Sequence, residues 1–108
     1  MTYPVRFTRS ASLDLEQIFD WIAEHDAPSK ANYVLNRVNE VLASIAALPN
    51  RGSRPRELPA GTEGRYRQLY FKPYRILYEI ADTEIIVHLI ADGRRDLQSL
   101  LLRRLTSD

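Results

Sequence analysis

The chain has 108 residues, of which 44% are hydrophobic and none is cysteine. We therefore expect a single domain over 1–108 with a modest core, without disulfides or thiolate chemistry. The formal net charge of +1 argues against strong direct binding to nucleic acid, which depends on many phosphate contacts.

Targeting signals are missing from the sequence. No apolar run approaches the roughly 20 residues that span a bilayer. The N-terminus lacks the continuous apolar stretch of a secretory signal. We expect a cytoplasmic protein with no membrane partner.

The first 25 residues predict a strand followed by a helix. Tyrosine, valine and phenylalanine alternate in 3–7 (YPVRF), which is the pattern of a short strand. The hydroxyl of Thr8 or of Ser10 can cap the helix that follows. Apolar residues then recur at helical spacing until about His25, where the helix is expected to end.

A second helix is predicted after the short break DAPS. Asp26 is expected to cap it, with Pro28 in its first turn. Pro49 stops it, and a loop follows over 49–64. Since the connection between the helices is short, they should form an antiparallel hairpin.

The C-terminal half predicts three strands, at 65–71, 74–80 and 84–90, and a final helix over 96–105. Links of two and three residues between the strands favour an antiparallel meander. The order β-α-α-β-β-β-α describes an α+β domain, with a helical hairpin packed on an antiparallel sheet and a short C-terminal helix.

The final helix carries anchoring and capping signals. Asp96 is placed to cap its start. Arg103 and Arg104 are expected to interact with its C-terminal end, where positive charge is favourable. Its core side is predicted to consist of Leu97, Leu100, Leu101 and Leu105.

Motifs of catalytic or metal sites are absent from the sequence. It contains no phosphate-binding Gly-rich loop, HExxH or GxSxG. His25 is expected to interact with a helix C-terminus, and His88 to be packed and hydrogen-bonded within its strand rather than catalytic. Asp14 is interpreted as part of a solvated acidic helix face, favourable near the helix N-terminus. No catalytic residue, metal site or cofactor is expected.

Arg65, Arg67 and Arg75 form the best candidate cluster. If the tyrosine and isoleucine side of the third strand packs on the helices, Arg75 points to the open face of the sheet. Guanidinium groups there could bind phosphates or carboxylates with two hydrogen bonds each. The alternative is a cross-strand salt bridge from Arg67 or Arg75 to Glu79.

Leu13 and Tyr33 lie nearly opposite the apolar stripe of their helices. Single exposed apolar side chains are common on protein surfaces. A protein that binds a partner segment along its helices also exposes such residues. Both readings stay open on these grounds.

Four segments, taken in order and spacing, resemble the RelE/ParE superfamily of toxins from type II toxin–antitoxin systems. They are DLEQIFDWI (14–22), ALPNRG (47–52), YRILYEI (74–80) and IADGRRD (90–96). The resemblance covers nearly the whole chain and implies the same fold. RelE-like members cleave mRNA on the ribosome, whereas ParE-like members act on DNA gyrase.

The residues that match the RelE pattern are incomplete. Arg75 and Arg95 match arginines used in RNA cleavage. Tyr66 and Gln68 stand where RelE has sheet lysines, and Leu101 where it has a tyrosine. Because arginine stays protonated, two arginines do not supply the proton transfer that cleavage needs. RNA cleavage is therefore disfavoured.

The run DGRRDLQSLLLRRL (92–105) looks more like the ParE branch, although many relatives have histidine in place of Asp92. The resemblance implies a toxin that inhibits DNA gyrase, requires no cofactor and is neutralised by a ParD-like antitoxin. The alternatives are a RelE-like ribosome-dependent endoribonuclease with altered residues and an inactive toxin fold that serves as a binding module.

The expected contact residues fall into two sets. Target contact is expected of Arg65, Arg67, Arg75, Arg94 and Arg95. Antitoxin contact is expected of Leu13, Trp21 and Tyr33.

Overall fold

The computed structural model describes residues 2–58 and 65–107. The secondary structure elements within these residues are β1 (Val5–Phe7), α1 (Arg9–His25), α2 (Pro28–Ala47), β2 (Tyr66–Phe71), β3 (Tyr74–Ala81), β4 (Glu84–Asp92) and α3 (Leu97–Ser107). Their order confirms the predicted succession. The predicted loop over 49–64 contains a short 3-10 turn, Pro49–Arg51, and its residues 59–64 lie outside the described part. None of the described helices is long and apolar enough to cross a membrane.

The four strands form one sheet in the order β1-β4-β3-β2. The meander β2-β3-β4 is antiparallel, as predicted. β1 lies parallel to β4, with Val5 opposite Ile85, so the complete sheet is mixed rather than antiparallel throughout. Alternation in the sequence identifies a strand, but the partner of β1 lies in the C-terminal half of the chain and local pattern does not reveal it.

The two faces of the sheet are covered by different helices. The hairpin of α1 and α2 packs on one face, where Ile45, Tyr78 and Val87 are fully buried. α3 packs on the other face and places Leu97, Leu100 and Leu101 against strand residues. Complete burial of such a side chain contributes about 1.5–3 kcal/mol to folding relative to exposure. The anchoring role of these three leucines is confirmed.

The helix caps agree with the sequence at α1 and differ at α2. Thr8 caps α1, because its hydroxyl accepts the backbone N–H of Ala11 at 3.1 Å. Asp26 was expected to cap α2, but the capping residue is Ala27, without a side-chain bond. The N–H of Asp26 instead donates to the carbonyl of Ile22 at 2.9 Å and so closes α1. Pro28 begins α2, as predicted.

The segment before β2 wraps around the outer edge of the sheet. The hydroxyl of Tyr78 donates to the carbonyl of Pro49 at 2.6 Å and accepts the N–H of Gly52 at 3.0 Å. A Cβ on Gly52 would lie 2.6 Å from that hydroxyl, so the close approach requires glycine. Ser53 then pairs with Gln68 of β2. This contact covers part of an edge strand that would otherwise offer free backbone groups.

A buried ion pair joins α1, β4 and α3. The carboxylate of Asp14 accepts two hydrogen bonds from the guanidinium of Arg104, at 2.6 and 2.8 Å, and one from the backbone N–H of Ile90 at 3.0 Å. Arg104 also donates to the carbonyl of His88 at 3.0 Å. The prediction of a solvated Asp14 is therefore wrong. Arg104 lies in the last turn of α3, as expected, but the sequence did not indicate its buried ion pair. β1 ends at Phe7. Beyond that point the carboxylate of Asp14, rather than a neighbouring strand, accepts a backbone hydrogen bond from β4.

Candidate functional site

A groove of about 850 Å³ opens between the helical hairpin and the turns at one end of the sheet. Trp21 of α1 and Tyr33 of α2 line one side, which we call the aromatic lip. Lys72, Arg94 and Arg95 line the opposite side, the basic lip. The remaining lining residues include Ile18, Ile22, Val34, Ile90 and Ala91.

The aromatic lip presents large apolar surface to solvent. Trp21 is 61% exposed and Tyr33 58% exposed. The ring of Trp21 stacks on His25 with a centroid distance of 4.4 Å. Nδ1 of His25 lies 2.9 Å from the carbonyl oxygen of Trp21, near the C-terminus of α1, so the predicted structural role of His25 is confirmed. The predicted exposure of Tyr33 is also confirmed.

Leu13 is 46% exposed, as expected, but it lies outside the groove. It is four residues before Gln17, which lines the groove, and Gln17 is four residues before Trp21. Residues spaced by four lie on one stripe of a helix. Leu13 therefore extends the line of the aromatic lip along α1.

Within the basic lip, Arg94 is paired and Arg95 is not. Arg94 donates to the carboxylate of Asp92 from Nε at 3.0 Å and from Nη2 at 2.7 Å, and its backbone N–H donates to the same carboxylate at 2.9 Å. These hydrogen bonds lower the pKa of Asp92 from 3.8 to about 2. Arg95 is exposed, and its side chain forms no ion pair with residues 2–58 or 65–107. Arg95 thus has no ion pair among the described residues, whereas Arg94 is paired but remains 84% exposed.

Backbone hydrogen bonds hold the basic lip together. The N–H of Gly93 donates to the carbonyl of Pro73 at 2.8 Å, which joins the turn after β4 to the turn between β2 and β3. The N–H of Arg95 donates to the carbonyl of Asp92 at 3.2 Å. The two turns that carry Lys72 and Arg95 therefore have a fixed position relative to each other.

Arg75 lies on the α3 side of the sheet but is not open to solvent. It is 4% exposed, and its guanidinium donates to Glu57 at 2.6 and 2.8 Å and also to the side chain of Gln68. The hydrogen bonds between them lower the pKa of Glu57 and raise the pKa of Arg75. The expectation that Arg75 points to an open face is wrong, because the segment before β2 brings a carboxylate over it.

The structure separates the three arginines of the predicted cluster. Arg67 lies opposite Tyr78, on the hairpin side of the sheet, and donates to the carbonyl of Gly52 at 2.7 Å. Arg65 stands at the opposite end of β2 from the groove and pairs with Glu79 at 2.6 Å. A salt bridge to Glu79 was predicted from Arg67 or Arg75, and that prediction is wrong. The register between β2 and β3 decides which arginine reaches Glu79.

His88 is buried next to Glu79. An irregularity in the pairing of β3 with β4 leaves His88 as an extra residue between the partners of Leu77 and Tyr78. Nε2 of His88 lies 2.7 Å from the carboxylate oxygen Oε1 of Glu79. Burial raises the pKa of Glu79, but hydrogen bonds from His88 and Arg65 outweigh it, so the pKa lies below its ordinary value. His88 is packed and hydrogen-bonded, as predicted.

Leu101 is 1% exposed and belongs to the core between α3 and the sheet. It stands where the resemblance places the tyrosine of RelE-like toxins. Arg75 is held by Glu57. The side chains of Arg75 and Leu101, at two positions of the RelE pattern, therefore both make contacts inside the fold.

The sequence matches a family model described as ParE toxin of the type II toxin–antitoxin system parDE, over residues 5–97. The chain belongs to the ParE toxin family. It is 30% identical over 94 residues to Toxin ParE3 of Caulobacter vibrioides, which covers 87% of this chain and 90% of that protein. The prediction of a RelE/ParE superfamily toxin of the ParE branch is confirmed.

Two solved structures share the fold of this ParE-family chain. A chain of the chromosomal ParDE toxin–antitoxin system from P. aeruginosa aligns with a TM-score of 0.69 at 24% identity, covering 84% of this chain and 96% of that one. A chain of the toxin–antitoxin complex RelBE2 from Mycobacterium tuberculosis aligns with a TM-score of 0.58 at 24% identity, covering 85% and 99%. The predicted α+β fold class is confirmed.

Sequence reasoning missed the groove and the carboxylates that order its surroundings. The sequence did contain a signal for the Asp92–Arg94 pair, since these oppositely charged residues stand two positions apart on either side of a glycine. Asp14–Arg104 and Glu57–Arg75 had none, because each joins segments that only the tertiary fold brings together. The groove itself combines side chains from α1, α2 and three strand ends.

Proposed function

We propose that this ParE-family toxin inhibits DNA gyrase and that a ParD-like antitoxin neutralises it in the cytoplasm. The match to the ParE toxin family over residues 5–97 carries this proposal. The structure favours inhibition of gyrase by binding over cleavage of RNA, because Arg75 and Leu101 are buried in internal contacts.

The antitoxin is proposed to dock along the helical hairpin. Trp21 and Tyr33 offer it exposed aromatic surface next to the apolar lining of the groove. Leu13 lengthens this surface along α1. Aromatic side chains of this kind supply much of the binding energy at protein interfaces.

The contact with gyrase is proposed to centre on Arg94 and Arg95. Both are exposed and project from a turn that backbone hydrogen bonds hold in place. Arg67 and Arg75 are less suitable, since Gly52 and Glu57 hold their guanidinium groups inside the fold. Arg65 is less suitable because it stands at the end of β2 away from the groove. The proposal is therefore narrower than the set of five arginines expected from the sequence.

The proposal is tested with purified toxin in a gyrase supercoiling assay. We expect inhibition of supercoiling or accumulation of gyrase-bound DNA breaks, relieved when the antitoxin is added. Codon-dependent cuts in ribosome-bound mRNA, with gyrase unaffected, would overturn the proposal in favour of an endoribonuclease. No effect in either assay would indicate an inactive binding module.

The arginine assignment has its own test. The double variant Arg94→Ala/Arg95→Ala is expected to weaken gyrase inhibition by about tenfold or more, since arginines at interface centres often contribute more than about 1.4 kcal/mol. Arg54→Ala, at an exposed position outside the groove, serves as the matched control. Full inhibition by a correctly folded double variant would refute the assignment.

A further inference from the structure

We infer that Asp92 is a positioning residue for Arg94, and that the pair presents the outer edge of the guanidinium to an uncharged oxygen of the target, such as a backbone carbonyl. Arg95, which has no ion pair among the described residues, supplies the positive charge of the same turn. This division between the two arginines rests on the proposed function, in which both contact the target. It adds the kind of chemical group that each arginine meets.

Asp92 is a fixed base for this contact. It is the last residue of β4 and lies opposite Tyr74 of β3 in the sheet. The hydrogen bond from the N–H of Gly93 to the carbonyl of Pro73 holds the turn that follows. The side chain of Asp92 is 25% exposed, whereas that of Arg94 is 84% exposed. A carboxylate attached to the sheet in this way can hold an exposed guanidinium in one orientation.

The carboxylate binds one edge of the Arg94 guanidinium and leaves the opposite edge open. Nε donates to Oδ1 of Asp92 at 3.0 Å, and Nη2 donates to Oδ2 at 2.7 Å. A guanidinium has five N–H donors in one plane, so those on Nη1 and the second one on Nη2 remain. Within residues 2–58 and 65–107, Nη1 has no hydrogen-bond partner. The remaining donors therefore point away from Asp92, in a plane that the carboxylate fixes.

The charge of Arg94 is already balanced. The pKa of Asp92 is about 2, because Arg94 donates hydrogen bonds to it, so the carboxylate stays ionised at neutral pH. A second carboxylate at the outer edge of Arg94 would be attracted by the guanidinium and repelled by Asp92. A carbonyl oxygen carries no net charge and meets the same donors without that repulsion. An uncharged acceptor therefore suits Arg94, whereas an anionic one suits Arg95, which can form charge-assisted hydrogen bonds.

Positioning before binding affects the affinity of Arg94. A flexible side chain loses rotational freedom when it is immobilised in an interface, which weakens binding by about two- to tenfold. Asp92 already restricts Arg94 in the free toxin, so less freedom is lost on binding. Removal of the carboxylate should therefore weaken toxicity, although it adds net positive charge to the turn. A contact between Arg94 and an acidic group predicts the opposite, since the released charge would strengthen it.

The first experiment compares Asp92→Asn with Glu84→Gln. Asparagine keeps the size of the side chain and an oxygen for the backbone N–H of Arg94, but it removes the charge of the pair. Glu84 pairs with Arg6 at the surface, at the opposite end of β4, and is the matched control. Growth arrest in cells and inhibition of gyrase supercoiling are measured for both variants. We expect Asp92→Asn to require about two- to tenfold more toxin for half of the effect, and Glu84→Gln to match the wild type.

A double-mutant cycle separates positioning from support of the turn. The backbone N–H of Arg94 also donates to Asp92, at 2.9 Å, and this bond is available in Arg94→Ala as well. If Asp92 acts through the guanidinium, Asp92→Asn should have no additional effect in the Arg94→Ala background. An additional loss of the same size in that background would show that Asp92 only supports the turn, and would overturn the inference.

Arg94→Lys tests whether orientation or charge matters. Lysine keeps the positive charge and lacks the planar fork that Asp92 holds, so this variant should be impaired like Arg94→Ala. Wild-type toxicity of Arg94→Lys would show that charge alone is sufficient and would contradict the assigned role.

The remaining outcomes also decide between explanations. Stronger toxicity of Asp92→Asn would overturn the inference, because it would show that Arg94 meets an acidic group. Unchanged toxicity of a variant that unfolds in urea like the wild type would do the same. Growth arrest that changes as expected while gyrase is unaffected would refute gyrase as the target and support the role of Asp92. A wild-type chain without effect in either assay would refute both.

Discussion

Arg75 and Arg94 each bind a carboxylate through two hydrogen bonds, but the surroundings of the two pairs differ. Arg75 is 4% exposed in its pair with Glu57, whereas the side chain of Arg94 is 84% exposed in its pair with Asp92. Removal of one partner from a buried pair leaves an uncompensated charge and is strongly destabilising. An exposed pair contributes little to stability, because water and salt screen it.

Glu57→Gln is therefore expected to destabilise the fold by about 3–5 kcal/mol, because Arg75 loses the charge that balances it. Urea unfolding followed by circular dichroism measures the change. Asp92→Asn is the control and should cost less than about 1 kcal/mol. Equal stability of Glu57→Gln and the wild type would show that Arg75 finds another partner or reaches solvent.

Asp92 provides a pH prediction at the same scale. Its folded pKa is about 2, below the ordinary 3.8, so the pair stabilises the fold above the unfolded pKa and this contribution is lost as pH falls towards 2. An NMR titration of the Asp92 carboxyl should show the depressed midpoint. In Arg94→Ala the midpoint should move back towards 3.8, and an unchanged midpoint would contradict the assigned cause.

At the scale of elements, α3 is held by apolar packing on one side. Leu101 is 1% exposed, whereas its neighbour Leu102 is 46% exposed. The two leucines are neighbours in the same helix and differ in the face of the helix that they occupy. They form a matched pair for measuring what the packing of α3 contributes.

Leu101→Ala is expected to destabilise the protein by about 2–5 kcal/mol, because it removes buried methyl groups and leaves a cavity. Leu102→Ala should change stability by no more than about 0.5 kcal/mol. Thermal or urea unfolding of both variants gives the comparison. Similar losses in the two variants would mean that α3 packs on the sheet through a different face.

At the scale of the whole molecule, the sheet separates two apolar cores and one ion pair connects its layers. Asp14 belongs to the hairpin layer, accepts a hydrogen bond from β4 and binds Arg104 of α3. The side chains of Asp14 and Arg104 are 9% and 15% exposed, so solvent screens the pair little. The position of α3 is thus tied to that of α1.

Asp14→Asn keeps the side-chain size and removes its charge, so a loss of about 3–5 kcal/mol is expected. Asp20→Asn, on an exposed position of the same helix, is the matched control. Hydrogen exchange should show faster exchange of α3 amides in Asp14→Asn than in the control. Unaltered exchange throughout α3 would contradict the proposed link.

The local features of this chain could be predicted from its sequence. Periodicity within each segment indicated the order of helices and strands and the buried side of α3, because a helix or strand repeats over a few neighbouring residues. The hydroxyl residues before α1 indicated a cap at Thr8 or Ser10, and the structure shows that Thr8 forms it. The resemblance in 14–22, 47–52, 74–80 and 90–96 indicated the family. The exposure of Leu13 and Tyr33 also followed from helical spacing alone.

The pairing of distant residues was decided only by the tertiary structure. The partner of Arg75 is Glu57 rather than Glu79, and Arg104, in the last turn of its helix, pairs with Asp14 of α1. Strand register and helix docking set these distances, and local periodicity contains no information about either. For the same reason the sequence indicated Trp21, Tyr33, Arg94 and Arg95 as two separate sets, whereas folding places them around one groove.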